Sequence, residues 1–140
     1  MDRPFLWFGL DGVLSSPLVE PNPVMVNTLR YLRDFAGFGV GILAGDHCEW
    51  GPARKRIVAD LGEVTVIVDS GTADARASRW DIFRIAEKLA GIPPKVSILI
   101  DRDAETCAAA NAFGWRSIRF QDNARACRQL HCATGTQSIL

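Results

Sequence analysis

The sequence predicts an α/β fold, five parallel strands covered on both faces by helices, and three observations carry that expectation. Strand-sized apolar runs alternate with amphipathic helical patterns along the whole 140-residue chain, the order in which strand-helix-strand units lay down a parallel sheet. Glycine and proline punctuate the junctions of that alternation. One run, residues 64–68, is entirely β-branched, as suits a strand buried in a parallel sheet.

The first strand is expected at Phe5 to Gly9, with Trp7 in the core, and a loop through Ser15, Ser16 and Pro17 follows. Asn22 then offers a side-chain cap and Pro23 a first-turn proline, while Met25, Leu29, Leu32 and Ala36 recur at helical spacing. Gly37 and Gly39 stop that helix, and Val40 to Leu43 forms the second strand. A helix from Pro52 to Leu61 closes at Gly62 and leads into the β-branched strand at 64–68. From Asp81 to Leu89 a further helix places Ile82, Ile85, Ala86 and Leu89 on one face and ends at Gly91. Pro93 and Pro94 turn the chain into a fourth strand, Val96 to Ile100. An alanine-rich helix, Ala104 to Ala112, ends near Gly114, and Trp115 to Phe120 is the fifth strand. A short helix around Asn123 to Leu130 completes a single domain over residues 1–130, and residues 131–140, with little to bury, are expected to be a disordered tail.

Composition narrows the function classes. With 48% hydrophobic and 23% charged residues the chain is an ordinary globular domain rather than a disordered one. Sixteen basic residues balance sixteen acidic ones, which gives no reason to expect nucleic-acid or anionic-membrane binding. Met1 to Pro4 lead into the first strand without the apolar core of a signal peptide, and no run approaches the roughly 20 apolar residues that span a bilayer. The expected location is the cytoplasm, where Cys48, Cys107, Cys127 and Cys132 are free thiols. Cys127, His131 and Cys132 are close in sequence, but their spacing fits no closed four-ligand zinc pattern.

Phe8-Gly9-Leu10-Asp11-Gly12-Val13-Leu14 resembles the first motif of the haloacid dehalogenase (HAD) superfamily of phosphotransferases, apolar-Asp-x-Asp-Gly-[Thr/Val]-Leu. Two further stretches extend the resemblance over residues 5–120. Asp69-Ser70-Gly71 through Ile82-Phe83 is similar to the family's Ser-Gly-x-x-Gly-x-x-Lys-Pro-x-x-x-Ile-Phe. Residues 92–116, from Ile92-Pro93-Pro94-Lys95 to Gly114-Trp115-Arg116, are similar to the stretch carrying the acidic metal motif and the helix after it. The resemblance implies a Rossmann-like three-layer α/β/α sandwich with a five-stranded parallel sheet and the site at the carboxyl ends of the strands. About 30 residues separate Leu14 from Ala44, and one helix uses most of them, so no cap domain is expected. Capless members leave the site open to large substrates or partners.

The same resemblance implies a damaged active site. In the family the first Asp of the motif attacks phosphorus and the second serves as acid and base; here the nucleophile position is lost at Gly9 and Asp11 keeps a vestigial acid/base place. The Ser or Thr expected after the second strand is Ala44, and the lysine before the Ile-Phe pair counts back to Ala77, with Ser78 in the proline's place. Arg76 or Arg79 is a candidate to replace that lysine through its permanent charge. The metal motif reads Asp101-Arg102, so Asp101 is the candidate magnesium ligand, and a fixed positive charge beside it disfavours an ion. Arg102 either takes over the charge of the lost ion in a metal-free phosphate pocket or pairs with Asp101, Asp103 or Glu105. A site without its nucleophile typically loses turnover on the order of a millionfold. Trp80 is a candidate for stacking at the rim, and His47 is a histidine expected near the site.

The expectation is a pseudophosphatase that works by binding a protein partner or a phosphorylated ligand at the open strand-end face. Asp11, Gly12, Ala44, Gly45 and Arg102 are its ligand-binding candidates, and no cofactor is needed. The alternatives are a phosphatase with an atypical site, for which Mg2+ is the cofactor, and a structural or oligomerisation domain.

Overall fold

The computed structural model describes residues 3–15, 20–44, 52–63, 66–68 and 79–136; of Ala53, Arg79, Trp80 and Asp81 it describes the backbone only. Ten elements alternate: β1 Phe5–Gly9, α1 Pro23–Asp34, β2 Val40–Leu43, α2 Pro52–Leu61, β3 Val66–Val68, α3 Arg79–Ala90, β4 Ser97–Asp101, α4 Ala104–Phe113, β5 Arg116–Arg119 and α5 Asn123–Thr134. The five strands form one sheet in the order β3-β2-β1-β4-β5, and each neighbouring pair is parallel.

β1 lies in the middle, so all five of its residues are buried and its alternation is read by two cores instead of one core and solvent. Leu6 and Phe8 join a cluster with Met25, Leu29 and Leu32 of α1, Ile57 and Leu61 of α2, and Ala126, Cys127 and Leu130 of α5. Phe5 and Trp7 point the other way, to Phe83 and Ala86 of α3, Ala110 of α4 and Trp115. That makes three layers. Trp7 is fully buried, donates its indole N–H to Ser97 Oγ at 3.0 Å and stacks on Trp115. The neighbouring strand must give way to this ring, since a Cβ on Gly41 would lie 2.7 Å from Trp7 Cζ3.

Three helix starts are capped by side chains, the first of them at the Asn22 expected from the sequence. Asn22 accepts from the Met25 N–H with Pro23 in the first turn, Asp103 accepts from the N–H groups of Glu105 and Thr106, and Asp122 accepts from that of Arg125. Among the described residues, α1 is the one helix between β1 and β2, and no helix is long and apolar enough to cross a membrane.

Three expectations need correction. The chain is ordered past residue 130: α5 runs to Thr134 with Gly135 as its left-handed cap, and His131 is buried. The physical reason is that α5 packs its last turns against α1, giving Leu130 and His131 something to cover; residues 137–140 lie outside the described residues. β3 is an edge strand, so Val66 and Ile67 are only half-buried; 64–65 are outside the described residues. In α3 the buried face carries Phe83, Ala86 and Glu87, and Leu89 is exposed, because Glu87 finds buried donors that its composition alone does not announce.

Candidate functional site

The carboxyl ends of β1, β2 and β4 bring Gly9, Leu43 and Asp101 to one edge of the sheet. After β1 the chain folds back at once. Leu14 and Ser15 donate their N–H groups to Leu10 O, and Gly12 donates its N–H to Ser15 O at 2.8 Å. Gly12 sits at φ +85°, a left-handed conformation that glycine adopts without strain. Asp11 projects from this loop into solvent, and its Oδ1 accepts from Arg54 Nε at 3.0 Å.

β4 delivers the other half. Asp101 O accepts from the Phe120 N–H, which ties the strand end to β5, and Asp101 Oδ1 accepts from the Asp103 N–H at 2.8 Å. Its Oδ2 points across to β1: a Cβ on Gly9 would lie 2.9 Å from it. One residue on, the stem of Arg102 covers the loop, and a Cβ on Gly12 would lie 2.8 Å from Arg102 Cδ. Two successive β4-end side chains therefore occupy the space above two glycines of the β1 end. Burial pushes the Asp101 carboxyl up to about 6, helped by the charges of Asp103 and Asp11, against N–H donation from Asp103 and Arg102. On the far side, Cys107 Sγ contacts Asp101 O at 3.5 Å, and burial, with the charge of Asp101, raises that thiol.

Of the residues singled out in the sequence, Gly9, Asp11, Gly12, Ala44, Asp101 and Arg102 lie at these strand ends. Ala44 is buried and its N–H donates to Val68 O, continuing the sheet. Gly45, His47, Arg76, Ala77 and Ser78 lie outside the described residues, as do the side chains of Arg79 and Trp80. Arg102 is exposed, and among the described residues it makes no ion pair with Asp101, Asp103 or Glu105. The pairing expectation is replaced by stem packing on Gly12: a residue that follows a strand turns its side chain away from its neighbour's, so Arg102 meets the loop instead of the carboxylate. Nor does its charge dominate Asp101, whose carboxyl is moved upward by burial and not downward by a cation.

The described donors do not fit magnesium. That ion asks for near-octahedral oxygen ligands, whereas Gly9 brings none, Asp11 is engaged by Arg54, and among the described residues no three His, Cys, Asp or Glu groups stand close enough to share an ion. Arg54 is the residue that sequence reasoning missed. The signal was available: in a parallel α/β sheet the helix after β2 begins on the strand-end side, so a basic residue in its first turn reaches the site.

Solved structures share this architecture over nearly the whole chain. An uncharacterized protein of Corynebacterium glutamicum is 21% identical, with 99% of this chain and 100% of that one covered at a TM-score of 0.79. A HAD family hydrolase of Deinococcus radiodurans with bound phosphate and sodium is 18% identical (94% and 97% covered, TM-score 0.69). An aspartate-to-alanine mutant of a HAD family enzyme from Bacteroides thetaiotaomicron, in complex with magnesium and inorganic phosphate, is 12% identical (86% and 95% covered, TM-score 0.66). No family model matches the chain, and no curated protein matches it by sequence. The fold is thus HAD-like, a five-stranded parallel Rossmann-like sheet between helices, and hydrolases of that superfamily are among the proteins that share it.

Proposed function

We propose that this chain is a HAD-fold binding domain that has given up phosphoryl transfer and engages a protein partner through its strand-end face. The observation that carries the reading is the Asp101 carboxylate over Gly9, 2.9 Å from where a side chain would begin. Gly9 has nothing to attack phosphorus with, and the volume of the attacking group is taken by a neighbour, so no phospho-enzyme forms at that position. Asp11 is tied to Arg54 in place of a leaving group. A protein is favoured over a phosphorylated ligand because the N–H groups of Gly12 and Ala44 already donate to Ser15 O and Val68 O, which depletes the backbone cradle that a phosphate uses. The exposed Arg102, Asp103 and Glu105 at the rim suit the polar border of a protein interface.

One observation supports a second reading, an atypical phosphatase: Asp101 Oδ2 is itself a carboxylate oxygen in the nucleophile's volume. Hydrolysis of a phosphate-ester panel, with and without magnesium, separates the two when wild type is run beside Asp11→Asn and Asp101→Asn. A shared trace rate in all three chains is the expected result. Turnover that disappears in Asp101→Asn would sink the binding reading and establish a relocated carboxylate. Phosphate titration followed by NMR then tells a phosphorylated ligand from a protein partner, since only the former shifts the amides of residues 10–15.

A further inference from the structure

His131 is buried in the last turn of α5, 4% exposed, and its Nε2 has no hydrogen-bond partner among the described residues. Its Nδ1 lies 2.6 Å from Thr136 Oγ1, which in turn is 2.8 Å from Thr134 Oγ1, and Thr134 donates to Leu130 O. The N–H groups of Gly135 and Thr136 close on His131 O. Across the interface the ring meets Tyr31 of α1 edge-on at 6.0 Å. One turn earlier, Cys127 Sγ is 3.4 Å from Thr28 Oγ1 of α1. The end of α5 is thus set against α1 through a histidine whose second nitrogen is buried and unpartnered among the described residues.

We propose that the last turn of α5 is a pH-operated latch on α1, closed while His131 is neutral and opened when it takes a proton. A proton on both ring nitrogens would leave a cationic N–H buried without an acceptor, and burial accordingly holds the ring below the ordinary histidine value. No carboxylate among the described residues stands ready to receive that charge. From α1, Arg30 reaches Asp60 O, Arg33 reaches Leu61 O and Glu63 O, and Asp34 is held by Arg33, all toward α2. The titratable group that α1 does present is Tyr31. On α5 itself, Arg125 pairs with Asp122, Arg128 and Cys132 are exposed, and Cys127 faces Thr28; from β5, Arg116 and Arg119 are exposed. The helix dipole favours a cation at this end, but the terminal carbonyl of His131 is already capped by two N–H groups, so burial wins. Opening the turn hydrates the ring and bares Tyr31 beside the exposed Phe35, which stacks on it at 6.0 Å.

The sign is that of a lowered base. The latch is fully present above the ordinary histidine value of about 6.5 and weakens as pH falls from there toward the lowered value, since only the open state is protonated in that window. NMR on the full chain between pH 7.5 and 5 reads both halves of the proposal. The His131 ring should titrate below about 6.5. Amide protection factors at Leu130 to Thr136 should fall by up to about tenfold per pH unit, with those of β1 unchanged. A ring that titrates at the ordinary value, or protection that stays level, overturns the latch. His131→Phe should hold the turn closed at every pH, and a variant that loosens at the same residues over the same window also overturns it. If that variant does not fold, Thr136→Val decides, because loss of the Nδ1 partner should lower protection of the turn at pH 7.5, and an unchanged turn contradicts the proposal.

Discussion

Two carboxylates at opposite ends of the sheet show how differently one fold treats the same chemical group. Glu87, below the amino ends of the strands, is almost fully buried, and its Oε2 accepts from Trp115 Nε1 at 2.9 Å and from the Lys95 N–H at 2.6 Å. Asp101, at the carboxyl ends, has one oxygen held by the Asp103 N–H and the other over Gly9, and burial raises its carboxyl to about 6. The first carboxylate is given donors and works as a tie between α3, the 92–96 turn and the start of β5. The second is kept ionisable at a cost. A group that a fold retains against its own stability is where a function is to be sought.

The comparison breaks most visibly at Glu87. Replacing it by Ala strands the Trp115 indole N–H and the Lys95 N–H in the interior, for an expected loss of about 3 kcal/mol in urea unfolding. A change under about 1 kcal/mol would mean that the tie is not structural. Next in size is Gly9→Ala, whose methyl meets Asp101 Oδ2; crowding of this kind costs about 2 kcal/mol. In an Asp101→Gly background that cost should vanish, and a double-mutant cycle with no coupling would disprove the filling of one residue's space by the other.

Asp101→Asn should act in the opposite direction from Glu87→Ala. A carboxyl raised from 3.8 to about 6 stabilises the fold while protonated, and that stability is lost as pH rises through 6. The Asn variant escapes the loss. It should exceed wild type by about 1 kcal/mol at pH 7, allowing for solvent near the partly exposed group, and match it below about pH 4. Equal stability of the two chains at pH 7 would show that Asp101 is not strained. The smallest effect is expected for Arg54→Ala, under about 1 kcal/mol, because its pair with Asp11 is partly solvated. A larger loss in thermal unfolding would recast Arg54 as part of the scaffold.

The elements whose signals are local were the most legible. Phe5–Gly9 and Val40–Leu43 match their expected bounds, as does the Pro52–Leu61 helix, because apolar runs end at glycine or proline whatever surrounds them. The cap at Asn22 likewise depends on a side chain and an N–H three residues away. Leu89 and Glu87 traded places against their hydrophobicity, since burial in α3 depends on what stands opposite, and opposite stands the donor of Trp115. The end of α5 was misjudged for the same reason, as His131 packs on Tyr31 of α1, a contact that its own neighbours in sequence do not reveal.

At the site the division is sharper. By itself the sequence determined that position 9 carries no nucleophile and that Asp11, Asp101 and Arg102 follow strand ends, for these are matters of identity and order. Only the tertiary structure decided that Asp101 fills the space over Gly9, that Arg102 lies along Gly12, and that Arg54 comes from another helix to hold Asp11. Those outcomes rest on distances between chain segments more than 40 residues apart, and the empty space above a glycine belongs to whichever neighbour the sheet register brings beside it.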